Sequence, residues 1–225
     1  MIVFIAGTDT ECGKTHLSAL FLKALLEMGV DARYQKWVST GNGKFSDDAH
    51  FVYKVAGLTH PPMANSLETP YCFSTPASPH IASELDGKTI DIDQMIQCSR
   101  TLKTQCDILI IEGVGGLMVP ISRDVLLVDI IERVSIPVIL VARAGVGTIN
   151  HTLLSVESLQ NRNIDIRGII LNEDRPTDGL IAKDNMKIIK KFAKIENIIH
   201  FGHYPSIDSA LPNEVKDASK MLFFR

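Results

Sequence analysis

The stretch "GTDTECGKT", residues 7–15, follows a hydrophobic run, "IVFIA" (2–6), and precedes an amphipathic pattern that begins at Lys14. A phosphate-binding loop requires this strand–loop–helix context, because there successive backbone N–H groups converge on an anion at a helix N-terminus. The spacing is irregular: five residues separate Gly7 from Gly13, against the usual four. The end of the loop is the part most tightly constrained. Gly13 allows close approach, Lys14 reaches terminal phosphates and the Thr15 hydroxyl can ligate magnesium, so the first glycine can shift by one position. The competing reading is a plain glycine turn into a helix with Lys14 solvated, and the flanking elements weigh against it.

Outward from the loop, short apolar runs bounded by turn residues recur as "ILII" (108–111), "VILVA" (138–142) and "GIILN" (168–172). They are too short and too β-branched for helices and read as buried parallel strands. Between them lie helical patterns over Lys14–Met28, Ile92–Leu102, Val125–Val134, Ile149–Asn161 and Leu180–Lys194. The alternation predicts an α/β fold of the P-loop NTPase kind, with a doubly wound, mostly parallel sheet and helices on both faces. Ligands in such sheets bind beyond the carboxyl ends of the strands, which directs attention to the segments after Ala6, Ile111, Ala142 and Leu171.

Composition bounds the function. The 225 residues carry no linker-like tract or repeat and suit one domain, 1–225; at 45% hydrophobic and 22% charged the chain reads as globular. A net charge of -3 gives no footprint for nucleic acid. Cys12, Cys72, Cys98 and Cys106 lack the close pair spacing of a disulfide framework or zinc site, which fits a reducing cytoplasm. The apolar start is too short for a signal peptide and no run approaches the ~18 residues of a membrane span, so a soluble protein is expected.

Two further glycine loops, "EGVGG" (112–116) and "GVGTIN" (145–150), follow strands, but neither completes a dinucleotide fingerprint: the sixth positions are Met118 and Asn150. Glu112 ends a strand, where phosphoryl-transfer proteins often place a magnesium-holding carboxylate; a solvated strand-end acid is the alternative. The glycines 113, 115 and 116 let backbone approach phosphate and favour the metal role. Asp47 and Asp48 offer a second carboxylate, although Ser46-Asp47-Asp48 equally reads as a helix N-cap and first turn. Local chemistry leaves the two acids open.

Taken together, "GTDTECGKT", "YQKWVSTG" (34–41), "SDDA" (46–49), "TPASPHIA" (75–82), "EGVGG", "GVGTINH" (145–151) and Asn172 resemble the dethiobiotin synthetases, ATP-dependent carboxylases that close a ureido ring in biotin synthesis. The motifs span most of the chain in the family's order, and the family's loop carries the same five-residue spacing. The resemblance implies that Glu11, Cys12, Gly13, Lys14, Thr15 and His16 surround the nucleotide phosphates, with Gly113, Val114 and Gly115 opposite. It implies that Thr15, Asp48 and Glu112 arrange Mg2+; Asp48 is chosen because the family's acid stands directly before alanine. It implies that Lys14 and Lys36 are catalytic, Lys36 supplying positive charge to a carbamate, and that Thr10, Lys36 and Thr40 contact a diamine. Without the resemblance, Lys36 reads as a surface lysine.

Gly147, Ile149 and Asn150 are implied near the substrate's carboxylate end, across a homodimer interface; taken alone, Thr148 as helix N-cap explains that stretch. Asn172 matches a base-reading asparagine, and Pro205, Ser206 and Ile207 fall in a looser match to a base-binding stretch. ATP is the expected co-substrate, with other nucleotides left open. Ser78 and Pro79 read as an ordinary helix start, which keeps His80 out of the catalytic set. The implied reaction forms a carbamate of 7,8-diaminopelargonic acid, phosphorylates it to a carbamic–phosphoric anhydride and closes the ring, with no protein nucleophile. Two other classes share the loop: nucleotide-switch ATPases of the partitioning or cell-division type, which carry an extra early lysine absent between Gly7 and Gly13, and small-molecule kinases. The tail "SKMLFFR" (219–225) is too little apolar for a stable anchor and is expected to dock on the fold.

Overall fold

A computed structural model describes residues 1–173, 179–203 and 211–224. In chain order the elements are β1 Ile2–Gly7, α1 Lys14–Glu27, β2 Ala32–Lys36, β3 Val38–Ser39, α2 Asp47–Val55, β4 Tyr71–Cys72, α3 Pro79–Leu85, α4 Ile92–Lys103, β5 Ile108–Glu112, α5 Leu127–Val134, β6 Val138–Arg143, α6 Thr148–Gln160, β7 Ile166–Asn172, α7 Leu180–Ala193, β8 Ile198–Phe201 and α8 Asn213–Phe223. Six strands form one sheet in the order β2-β5-β1-β6-β7-β8, and every neighbouring pair is parallel. The predicted doubly wound α/β architecture is the observed one. β3 and β4 pair separately.

Strand alternation splits the apolar side chains into two cores. Phe4, Leu109, Ile111 and Leu140 face the layer built by α4 to α7; Val3, Ile5, Ile110 and Ile139 face α1, α2 and α8. A period of two in strands buried on both faces produces this division. Helix α1 is buried nearly all round, from Leu17 to Leu25, because it lies between the sheet and the covering helices α2 and α8. The C-terminal segment docks as expected: Leu222 and Phe223 are buried, and the Phe223 ring meets Phe21 edge-on at 5.5 Å. Among the described residues no helix is long and apolar enough to cross a membrane.

The predicted inner strands and helices are all present, with ends moved by one or two residues. Helix α5 begins at Leu127 and not at Val125, because Leu126 still pairs with Pro120 and gives its N–H to the Asp129 carboxylate at 2.9 Å. Thr148 is not an N-cap: Gly147 takes that position at φ 89, and Thr148 is buried with its hydroxyl 3.3 Å from that of Thr152. Two strands absent from the sequence reading, β2 and β8, are the edges of the sheet. The free side of β2 is covered by the segment at 67–69, where Glu68 accepts the Lys36 N–H at 2.8 Å.

The connection from β1 runs to β2 on one side, and that from β5 runs to β6 on the other. The crevice between the carboxyl ends of β1 and β5 is therefore a topological switch point. There the loop after Gly7 meets the loop after Glu112, so closely that a methyl group on Gly116 would stand 3.3 Å from the Thr8 carbonyl.

Candidate active site

The loop from Thr8 to Gly13 is held at both ends and strained in between. The Thr8 N–H bonds the Val141 carbonyl at 2.9 Å, Glu11 has φ 57 and Gly13 has φ 101. Gly13 has no alternative: a methyl there would fall 2.2 Å from Asn172 Nδ2. No side chain caps the start of α1, so its first N–H groups are directed at the crevice, the arrangement that favours an anion. Lys14 is buried and folds back across the loop, donating to the Asp9 carbonyl at 2.8 Å. Arg143 braces the loop from β6 through the Thr10 carbonyl at 3.1 Å.

Thr15 Oγ1 lies 2.9 Å from Asp48 Oδ1 and 2.8 Å from Glu112 Oε1. A hydroxyl has one proton, so it can satisfy only one carboxylate at a time. Lys36 compensates. Its Nζ donates to Asp48 Oδ2 and Glu112 Oε1, each at 2.7 Å, and to the Gly113 carbonyl at 3.0 Å, which uses all three ammonium protons. Glu112 is fully buried, and its other oxygen accepts the Tyr34 hydroxyl at 2.9 Å. Burial alone would lower the Lys36 pKa, but the two carboxylates override it and hold the ammonium well above its ordinary value. For Asp48, burial pushes upward and the Lys36 ammonium and Thr15 hydroxyl pull harder, so its pKa is lowered. Burial, reinforced by the Glu112 charge, raises Tyr34 far above the ordinary phenol value and keeps it a donor.

Lys14, Thr15, Lys36, Asp48 and Glu112 border a cleft of about 390 Å³, also walled by Thr10, Glu11, His16, Thr40, Val114 and Gly115. The choice between the two acids is resolved by geometry. Asp48 turns into the cleft from the first turn of α2, while Asp47 turns outward to Asn42, and Ser46 caps the helix by accepting the Ala49 N–H at 3.2 Å. The reading of Lys36 as a surface lysine is overturned: it is 3% exposed. Cys12 lies outside the cleft, fully buried against the α1 core, and its carbonyl accepts Asn172 Nδ2 at 3.2 Å. Gly113 is compulsory for packing, since a methyl there would meet the Phe4 ring at 2.9 Å.

Gly147, Ile149 and Asn150 sit at the start of α6; Ile149 packs on the core, Asn150 is exposed, and none of the three borders the cleft. Pro205, Ser206 and Ile207 lie outside the described residues. Tyr34 was missed by sequence reasoning. Its signal was the alternation of "YQK", which places Tyr34 and Lys36 on one face once residues 32–36 are known to be a strand.

Fold and site define a P-loop nucleotide-binding protein of the doubly wound class. Solved structures agree on the fold: the cell division protein MinD of Aquifex aeolicus superposes with TM-score 0.64 at 14% identity, covering 100% of this chain and 97% of that one. A ParA family ATPase from Chlorobium tepidum TLS gives 0.60 at 13%, covering 100% and 98%. The family described as "AAA domain" matches residues 2–214. At the level of sequence, the "ATP-dependent dethiobiotin synthetase BioD" of Clostridium perfringens (strain 13 / Type A) is 34% identical, covering 98% of this chain and 97% of its own. Proteins of the same name from Lysinibacillus sphaericus (strain C3-41) and Methanococcus vannielii are 36% and 35% identical, covering 84% and 88% of this chain and 82% and 91% of theirs. The chain belongs to the dethiobiotin synthetase family.

Proposed function

We propose that the protein uses ATP to convert 7,8-diaminopelargonic acid and CO2 into dethiobiotin, acting as one domain in which both cores share a single sheet. The observation that carries this reading is the buried Lys36 ammonium held between Asp48 and Glu112 at the mouth of the phosphate loop. The nucleotide phosphates lie against the N–H groups of residues 13–16 and Lys14, and Asn172 faces the base. Thr10, Lys36 and Thr40 receive the diamine.

The oxygen set fits magnesium. Thr15, Asp48 and Glu112 bring three hard oxygen donors together with one hydroxyl proton between two carboxylates, and the ammonium bonded to both acids is that of Lys36. So small a set suits an ion that keeps water and phosphate in its shell. Bound Mg2+ supplies charge neutralisation at the terminal phosphates.

Lys36 is held as an ammonium and cannot act as a base, so its part is to attract and orient the anionic carbamate. One neutral amine adds to CO2 and loses a proton to give the carbamate, whose oxygen attacks the γ-phosphorus as ADP leaves. The second amine then attacks the carbonyl carbon, the bond from that carbon to the bridging oxygen breaks, inorganic phosphate departs, and the ring closes with loss of the amine's proton. Lys14 and Lys36 flank the anion through both steps, and no protein nucleophile takes part.

We place the second half of the diamine site on a partner copy. Gly147, Ile149 and Asn150 do not border this chain's own cleft, and in the same region of sequence Val146 is 93% exposed and Leu154 57%, with Met118 at 56%. Exposed apolar side chains of this kind fit a homodimer interface. A reducing compartment suits the four free thiols.

The test is a mass-spectrometric assay with protein, ATP, Mg2+, 7,8-diaminopelargonic acid and carbon-13 bicarbonate. Labelled dethiobiotin with stoichiometric phosphate is expected. Phosphate release without the labelled ring would remove the substrate assignment, and a phosphorylated acceptor would make the protein a kinase.

A further inference from the structure

Strand β2 carries Lys36 on one face and, by alternation, Gln35 on the other, the side to which Trp37 turns just past the end of the strand. Beneath the strand those two residues meet one side chain from α4. Trp37 Nε1 donates to Ser99 Oγ at 2.9 Å, Ser99 Oγ donates to Gln35 Oε1 at 2.6 Å, and Gln35 Nε2 donates to the Leu67 carbonyl at 2.6 Å. Trp37, Gln35 and Ser99 are 1%, 0% and 3% exposed, and the Trp37 ring packs on Phe4 with centroids 4.9 Å apart. The Ser99 hydroxyl also lies 3.3 Å from the Met95 carbonyl one turn back in α4, but its link to Gln35 is the shorter, and with Trp37 donating to it the set favours one combination of rotamers.

The series grips the chain immediately before and after Lys36. Past Trp37 the chain continues as Val38, Ser39 and Thr40, all of which border the cleft. Trp37 is therefore the anchored underside of a wall that runs from Lys36 to Thr40. The phosphate loop stands on a different strand, β1, and no residue of α4 borders the cleft.

We propose that Ser99, with Trp37 and Gln35, is a buried polar clamp that positions Lys36 and the wall behind it for the diamine, leaving nucleotide binding to the β1 loop. The clamp rests on the proposed role of Lys36 toward the diamine. Ser99 and Trp37 are positioning residues that touch no substrate.

The test compares Ser99→Ala and Trp37→Phe with wild type and with Lys36→Ala, in Mg2+, ATP and 7,8-diaminopelargonic acid. Removing one buried partner should raise KM for the diamine about tenfold, while KM for ATP moves less than about twofold. The double variant should add little to either single one, because the links act in series. Trp37 is the only tryptophan, so its fluorescence reports the clamp directly. Emission should respond to the diamine in wild type, and that response should be lost in Ser99→Ala. If Ser99→Ala fails to fold, Trp37→Phe carries the kinetic comparison. Equal changes in both KM values, or none in variants folded by circular dichroism, overturn the clamp. Lys36→Ala separates the two failures: if it spares the diamine step, the function assigned to Lys36 falls, whereas if it damages that step beside unaffected clamp variants, only the clamp falls.

Discussion

Replacing Lys36 by Met exchanges a buried ammonium for an apolar chain of similar length and leaves Asp48 and Glu112 with the Thr15 hydroxyl alone between them. Breaking a buried ion pair from one side costs about 3–5 kcal/mol, because the remaining charge is stranded. Asp48 keeps 38% of its side chain in solvent, which places the loss near the lower end, about 3 kcal/mol. For a chain of this size that is a fall in Tm of about 6–12 °C by calorimetry at pH 7.

The pH dependence provides the discriminating sign. In wild type the Asp48 pKa is depressed, so its contribution is present above the ordinary carboxylate range and is lost as pH falls through the folded value. In the variant the main depressing charge is gone, burial dominates and Asp48 takes up a proton more readily. The deficit should therefore shrink between about pH 7 and pH 5. Added Mg2+ should raise the variant's Tm more than the wild type's, since the two carboxylates then lack the ammonium that was bonded to both of them. Turnover of the diamine should fall about 10²-fold or more, with ATP affinity little changed. A Tm difference that is absent, or that stays constant from pH 7 to pH 5, would refute the stranded-charge argument.

Gly13→Ala should reduce ATP affinity at least about tenfold by calorimetric titration, since φ 101 and a methyl 2.2 Å from the Asn172 amide force the loop or Asn172 to move; unaltered affinity would show that the loop does not bind the phosphates. Tyr34→Phe leaves one Glu112 oxygen buried without its donor and should cost about 1–3 kcal/mol in denaturant unfolding, with a matching change in the Mg2+ dependence of turnover. Val146→Glu should give a monomer by light scattering and lose diamine turnover while retaining ATP binding; a fully active monomer would place the whole substrate site within one chain.

The legible part of the site was the part that closes over a short span of chain. Gly13, Lys14 and Thr15 are neighbours in sequence, and their placement in the loop follows from a strand before them and a helix after them. Glu112 was legible because a strand end followed by glycines is itself a local pattern. The inner strands were legible because burial on both faces writes a continuous apolar run. The edge strands were not: β2 is buried at all but Arg33, yet its buried Tyr34, Gln35 and Lys36 find their polar partners in distant segments, so "ARYQK" contains no apolar run.

Other features came only from packing. Local chemistry treats Asp47 and Asp48 alike, and their separation depends on which way the first turn of α2 faces the phosphate loop. Lys36, with nothing local to mark it, becomes a buried charge because β2 pairs with β5 and sets it against Glu112, 76 residues away. Tyr34 and the Ser99 clamp arise in the same way, from contacts between distant elements. The amino-acid sequence by itself determined the pattern of the phosphate loop, the inner strands of the sheet and the family. The arrangement of charge around Lys36 was decided by the tertiary fold, because Coulomb and hydrogen-bond energies depend on distance in space, and sequence separation does not report that distance.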